Sequence, residues 1–136
     1  MACLFCDIVA GKIPAHLVHE APGALAFLDV HPTTRGHVLV IPRAHATNLV
    51  ELADDGVGEL FKAVKVVQQK LSQALQPVAF NVGWNHGAAA GQHVFHLHVH
   101  VLPRYGPGGR GVQALGAGAG PEDLAALAAT LRAVTG

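Results

Sequence analysis

From Phe95 to Val101 the chain alternates without a break, Phe95-His96-Leu97-His98-Val99-His100-Val101. A period of two reads as a half-buried β-strand, because successive side chains of a strand point to opposite faces. Leu97, Val99 and Val101 then face a core, and His96, His98 and His100 line up on the other face at intervals of roughly 7 Å. Pro103 has no N–H to donate, so the pattern predicts that the strand ends there. Histidines can simply decorate a solvated face. Here, however, the chain holds 10 His against 9 Lys and Arg together. Imidazole titrates near neutral pH, ligates metals and acts as a nucleophile, so three in register point to chemistry.

The rest of the chain bounds the setting. Its 136 residues suit a single domain over 1–136, long enough to bury about two thirds of the unfolded surface. No apolar run approaches the ~18 residues of a membrane span. The opening MACLFCDIVAG lacks a cationic stretch and carries Asp7, unlike a signal peptide. Formal charge is zero and no basic stripe is present, which argues against extended nucleic acid as a partner. A soluble, cytoplasmic protein is expected.

Cys3 and Cys6 form a CxxC pair with no strand before it, so the thioredoxin pattern is missing. One pair in a chain without a signal peptide is no disulfide framework. Half of a metal site and two buried structural thiols both remain open. Phe5–Ala10 reads as a helical turn stopped by Gly11. Leu17–Glu20 and Ala24–Leu28 read as strands joined by Pro22-Gly23. Asp29 follows the second strand, either as a solvated cap or as an acceptor for vicinal ribose hydroxyls.

His37–Ile41 reads as a strand ended by Pro42, and Thr47 as the cap of a turn through Leu52. A long helix runs from Asp54 or Asp55 to about Gln76, with Pro77 as its stop. Val57, Leu60, Phe61, Val64, Leu71 and Leu75 form its apolar face, and Lys62, Lys65, Gln69 and Lys70 are expected in solvent. Val78–Trp84 is the next strand. The small-residue loop from Asn85 to Gly91 lets backbone N–H groups approach an anion. The Gly/Pro-rich run 105–120 suggests a mobile loop. Residues 121–136 suggest a closing helix with Pro121 at its first position and Glu122 and Asp123 in its first turn.

The histidine strand, His-Leu-His-Val-His-Val-Leu, resembles the signature of the histidine triad (HIT) family, in its bacterial Hint-type branch. The likeness extends to the CxxC pair, IPA at 13–15, AFLDV at 26–30, GHVLVIPRAH at 36–45 and the block from Asn85 to Arg104. It implies an α+β fold with about five antiparallel strands, a long central helix and a C-terminal helix, pairing as a homodimer. The implied activity is hydrolysis or nucleotidyl transfer at the α-phosphate of purine nucleotide derivatives, of the phosphoramidase type. Diadenosine polyphosphate hydrolysis is the enzymatic alternative, and a nucleotide- or zinc-binding module with little turnover the alternative of another class.

Residue by residue, His98 matches the nucleophile that forms a nucleotidyl-histidine intermediate. His100, Asn85 and the backbone of Gly91, Gln92 and His93 match positions that hold the α-phosphate or assist transfer. Asp29 matches the ribose carboxylate, and Phe5, Ile8, Phe27 and Val30 match the apolar walls around base and sugar. Hint-type members often carry Ser or Thr where this chain has His93, at a position associated with the phosphate and the leaving group. Cys3, Cys6, His45 and His96 match a zinc set carried by some bacterial relatives, a Cys₂His₂ combination usual for closed structural sites. No catalytic metal is demanded by this chemistry.

Overall fold

Pro22-Gly23 folds two short apolar runs back on each other, and the strands lie where the sequence pattern puts them: β1 at Leu17–Glu20 and β2 at Ala24–Leu28. The computed structural model describes residues 2–112 and 118–135. β3 (Val38–Pro42), β4 (Ala79–Gly83) and β5 (Val99–Arg104) complete a five-stranded sheet of order β1-β2-β3-β5-β4, antiparallel throughout. A short helix α1 (Leu4–Val9), the long α2 (Asp54–Leu75) and α3 (Leu124–Ala133) complete the expected α+β arrangement.

The period of two decides what each face of the sheet meets. Ala24, Ala26, Leu28, Val38, Val40, Val99 and Val101 share one core with Leu60, Val67 and Leu71 of α2 and Leu127 and Leu131 of α3. The alternate residues Leu25, Phe27, Leu39 and Ile41 pack with Phe5 in a second cluster, flanked by Cys3, Ile8 and Val94. β2 and β3 are therefore buried on both faces. At about 1.5–3 kcal/mol per fully buried large aliphatic side chain, these two strands anchor the domain. His100 of β5 shares the second face, since Leu39 pairs with it.

Several boundaries differ from expectation. The alternation starts at Phe95, but the ladder starts at Val99 and runs through Pro103 to Arg104. Proline is tolerated there because β3 pairs with β5 only over Val99–Val101, leaving Pro103 partnered on the β4 side alone. Asn48, not Thr47, caps the 3-10 turn Leu49–Glu51, its Oδ1 accepting from the Glu51 N–H at 3.1 Å. Pro121 and Glu122 precede α3, and Asp123 is its cap, accepting from the Ala126 N–H.

Lys70 departs most. It is buried, and its ammonium donates to the carbonyls of Leu131, Arg132 and Val134 at 3.2, 3.4 and 2.8 Å. A cation at a helix C-terminus satisfies its orphan carbonyls and opposes the dipole. Lys70→Met should therefore cost about 2 kcal/mol, read as a lower urea midpoint at unchanged slope. An unshifted midpoint would mean that water serves those carbonyls equally well.

The described parts of the Gly/Pro-rich run make three hydrogen bonds within this fold. The Arg104 guanidinium donates to the Gly111 carbonyl, the Tyr105 hydroxyl to the Arg35 carbonyl, and the Ala119 N–H to the Pro32 carbonyl. Residues 113–117 of that run, Met1 at the start of the expected domain and Gly136 at the end of the expected closing helix lie outside the described residues. Among the described residues no helix is long and apolar enough to cross a membrane.

Candidate active site

On the second face of the sheet, between it, α1 and the β2–β3 connection, lies a cavity of about 670 Å³. That is within the range of small-molecule sites. Phe5, Ile8, Phe27 and Leu39 give it apolar walls, and Asn85, Gly91, His93, His98 and His100 line it too, the Phe5 and His98 rings lying 5.2 Å apart between centroids. Asp29 and Val30, just past the end of β2, also line it. Among the described residues lining the cavity there is no Lys or Arg, and Asp29 is the one carboxylate. Every position expected to bind nucleotide is on this wall except Gln92.

Gln92 is buried and braces the loop instead. Its Oε1 accepts from the Gly87 N–H at 2.8 Å, and its amide donates to the carbonyls of Thr47 and Val94. The loop also closes on itself: the Gly91 N–H donates to the Ala88 carbonyl and the Gln92 N–H to the Gly87 carbonyl. Glycine at φ +95 (Gly87) and +104 (Gly91) makes that closure possible. These two backbone donors, expected for a phosphate, are thus engaged within the turn.

The hydrogen bonds fix the tautomer of each imidazole, since a neutral ring carries one proton. His98 Nδ1 lies 2.8 Å from the His96 carbonyl and must donate to it, which leaves the Nε2 lone pair free. His37, which the motif reading overlooked, is 3% exposed. Its Nδ1 accepts from the Thr33 N–H at 3.1 Å, so its proton is on Nε2, 2.9 Å from His100 Nδ1. His100 accepts that proton in a hydrogen bond and carries its own on Nε2. Parity along β3 was the available signal: His37 shares the face of Leu39 and Ile41.

Burial, with Arg104 and His98 nearby, holds His37 well below the ordinary imidazole value, at about 4. Burial, with His37 and His98 adjacent, does the same to His100, again to about 4, against an opposing pull from Asp29. Burial also lowers His98, against its bond to the His96 carbonyl and the Asp29 charge. All three rings are neutral at neutral pH. Asp29 Oδ1 accepts from the His31 N–H at 2.8 Å, while Oδ2 is 3.7 Å from His37 Nε2.

His96, the first of the triad, is fully buried. Its Nε2–H donates to the Pro42 carbonyl at 2.9 Å, which turns the Nδ1 lone pair toward Cys3 Sγ at 3.4 Å and Cys6 Sγ at 3.5 Å. His45 Nδ1 is 3.2 Å from Cys6 Sγ, and the four ligand atoms lie within 4.8 Å of one another. In a tetrahedron with Zn–S of ~2.3 Å and Zn–N of ~2.0–2.1 Å, the S···N edge is about 3.6 Å. The residues present fit a closed zinc site. Asp29, His37 and His100 are also within 4.8 Å of one another. There the proton on His37 Nε2 points into the cluster, so that trio presents a donor where a metal needs a lone pair.

Residues 10–106 match the family model for the HIT domain. Protein hit of Bacillus subtilis is 43% identical over 106 residues, 78% of this chain and 73% of that protein. The adenosine 5′-monophosphoramidase of Schizosaccharomyces pombe is 42% identical over 104 residues, 76% of this chain and 75% of that one. Among solved structures, a Zn-bound histidine triad family protein from Mycobacterium smegmatis matches with a TM-score of 0.82 at 35% identity, covering 98% of this chain and 92% of that one.

Proposed function

The chain belongs to the HIT domain family, and from that membership we propose that it is a purine nucleotide phosphoramidase, hydrolysing or transferring at the α-phosphate. The observation that carries the reading is His98, whose Nδ1–H is held by the His96 carbonyl so that Nε2 faces the cavity. In the proposed reaction Nε2 attacks the α-phosphorus, the P–N bond to the leaving amine breaks, and a nucleotidyl-histidine forms. Water then attacks the same phosphorus and returns His98, replacing one hard step by two easier ones. His100, with its proton on Nε2, donates to a phosphoryl oxygen where charge builds up, with Asn85 beside it. His93 at the cavity's edge protonates the departing amine. Phe5, Ile8, Phe27 and Val30 enclose base and sugar, and Asp29 accepts from the ribose hydroxyls.

With no Lys or Arg among the described residues lining it, the cavity holds a phosphate by neutral donors, which suits a singly charged phosphoramidate better than a polyphosphate chain. Turnover of an adenosine phosphoramidate and a diadenosine polyphosphate, measured side by side, tests this, and preference for the second would refute the phosphoramidase assignment. Zinc, where bound by Cys3, Cys6, His45 and His96, supplies structural cross-linking; no step passes through it. β4 is an edge strand, with Val82 and Trp84 exposed, which supports pairing of two copies through that edge. The reading is of a cytoplasmic enzyme with no nucleic-acid or membrane partner.

Two expectations follow for this site. A ligand lacking the 2′- and 3′-hydroxyls should bind about 10- to 100-fold more weakly, because Asp29 loses its donors. The gap should narrow in Asp29→Asn, and equal affinities of the native protein for both ligands would remove Asp29 from the site.

Acid should also destabilise the fold. His37 and His100 titrate near the ordinary 6.5 when unfolded but at about 4 when folded. Between those values the unfolded chain binds more protons, so stability rises with pH. It should be full above pH 6.5 and fall as pH drops toward 4, by about 3 kcal/mol for one such group. Urea midpoints across that range check it, and a flat profile would mean that the imidazoles are charged in the fold.

A further inference from the structure

We propose that Cys3 and Cys6 form a reversible disulfide under peroxide, releasing the metal and loosening the α1 wall of the cavity. Its effect on nucleotide binding rests on the function proposed above; the thiol chemistry does not.

The two sulfurs share one partner, lying 3.4 and 3.5 Å from His96 Nδ1. Cys3 stands at the start of α1, still extended at φ −129 and ψ 116, and its Sγ accepts from the Cys6 N–H at 3.3 Å. That i, i+3 placement brings the side chains within the reach of a disulfide after a small rotation. Both thiols are half-buried, not sealed, and their partner His45 is exposed, so a small oxidant can reach the cluster.

What the sulfurs hold is the reason the change would matter. Among the described residues, the side-chain polar contacts between residues 2–13 and the rest of the chain are those of Cys3 with His96 and of Cys6 with His45 and His96. The backbone bonds of the segment close on themselves, as in Asp7 N–H to Cys3 carbonyl and Lys12 N–H to Asp7 carbonyl. Apart from these sulfurs, packing holds α1. Phe5 meets Phe27 at 5.5 Å and His98 at 5.2 Å between ring centroids. The ring that walls the cavity is thus one residue from one tethered sulfur and two from the other.

The chemistry balances. One thiolate attacks a peroxide oxygen, the O–O bond breaks, and a sulfenic acid forms with loss of hydroxide. The second thiolate attacks that sulfur, the S–S bond forms, and a second hydroxide leaves. The two sulfurs give up two electrons, two protons from solvent complete two waters, and the metal departs as a hydrated dication. His45 and His96 alone do not hold zinc in a closed site.

The test treats the zinc-loaded full chain with stoichiometric hydrogen peroxide. It reads the Cys3–Cys6 link by peptide mass, zinc with a colorimetric chelator, amide exchange over residues 3–13, and affinity for AMP by calorimetry. One zinc should appear per disulfide, exchange over 3–13 should rise about tenfold or more, and AMP affinity should fall about tenfold. Thiol reductant with zinc should reverse all of these. Cys3→Ser, where it folds, should block the link. A chain that takes up no zinc, over-oxidised thiols without the link, or a link that leaves zinc or exchange unchanged would each overturn the proposal. Failure of the reduced zinc form to bind AMP would sink the nucleotide reading instead, with zinc and exchange still deciding this one.

Discussion

Replacing His98 by asparagine should abolish turnover, lowering kcat by about three orders of magnitude or more, because no neighbouring group replaces a covalent nucleophile. Asparagine is the informative substitution. Its amide can still donate to the His96 carbonyl, which His98 Nδ1 reaches at 2.8 Å, so the local fold is kept and only the attacking lone pair is removed. His100 cannot take over, since its Nε2 carries the proton that His37 dictates from behind. The measurement is single-turnover cleavage of an adenosine phosphoramidate, with protein quenched in alkaline denaturant checked for a phosphorus–nitrogen adduct. The native chain should trap nucleotide on a histidine; the variant should not. Near-native rates in His98→Asn would end the covalent mechanism.

The second large effect concerns the metal. Chelating zinc should lower the melting temperature by about 10 °C or more. Removing a ligand held at a thousand times its dissociation constant costs about 4 kcal/mol, and each kcal/mol shifts a domain of this size by several degrees. The cross-link is long-range: Cys6 to His45 spans 39 residues of sequence and Cys3 to His96 spans 93. Chemistry should suffer less, since neither His98 nor His100 is a ligand and a closed four-ligand zinc leaves no position for water. Elemental analysis of untagged protein comes first. Native protein with no zinc and two freely titrating thiols would leave Cys3 and Cys6 as packing residues.

How far these sites could be read from sequence depends on the physics behind each signal. Period and punctuation are local, so β1 and β2 were legible to the residue, and the alternation of Leu97, Val99 and Val101 against the three histidines holds even where the ladder has not yet begun. Long-range partners are not local. Lys70 sits among Lys62, Lys65 and Gln69 on α2 and reads as solvated; only the docking of α3 puts three carbonyls on its ammonium. Gln92 reads as a phosphate-loop residue, yet its side chain turns inward because Thr47, far off in sequence, offers a carbonyl. Pro103 reads as a stop because a single strand's sequence does not show that β3 runs out beside it.

His37 is the instructive omission. Strand parity put it on the histidine face, but a motif three histidines long drew attention away from a fourth contributed by another strand. The division of labour within the triad was also hidden. Equal spacing makes His96, His98 and His100 look alike, whereas the structure gives them a lone pair facing the two cysteine sulfurs, a cavity-facing lone pair and a cavity-facing proton. Three carbonyl or imidazole partners make that difference: Pro42, His96 and His37.

The sulfur–imidazole cluster also has a timetable. Synthesis proceeds from the N-terminus, so Cys3 leaves the ribosome first and its partner His96 follows 93 residues later. At ~5–20 residues per second that wait lasts about 5–20 s. By then His45 and the whole sequences of β1 to β3 and α2 have been made. Completion of the four-residue cluster therefore waits on His96, with β5 and α3 still to follow.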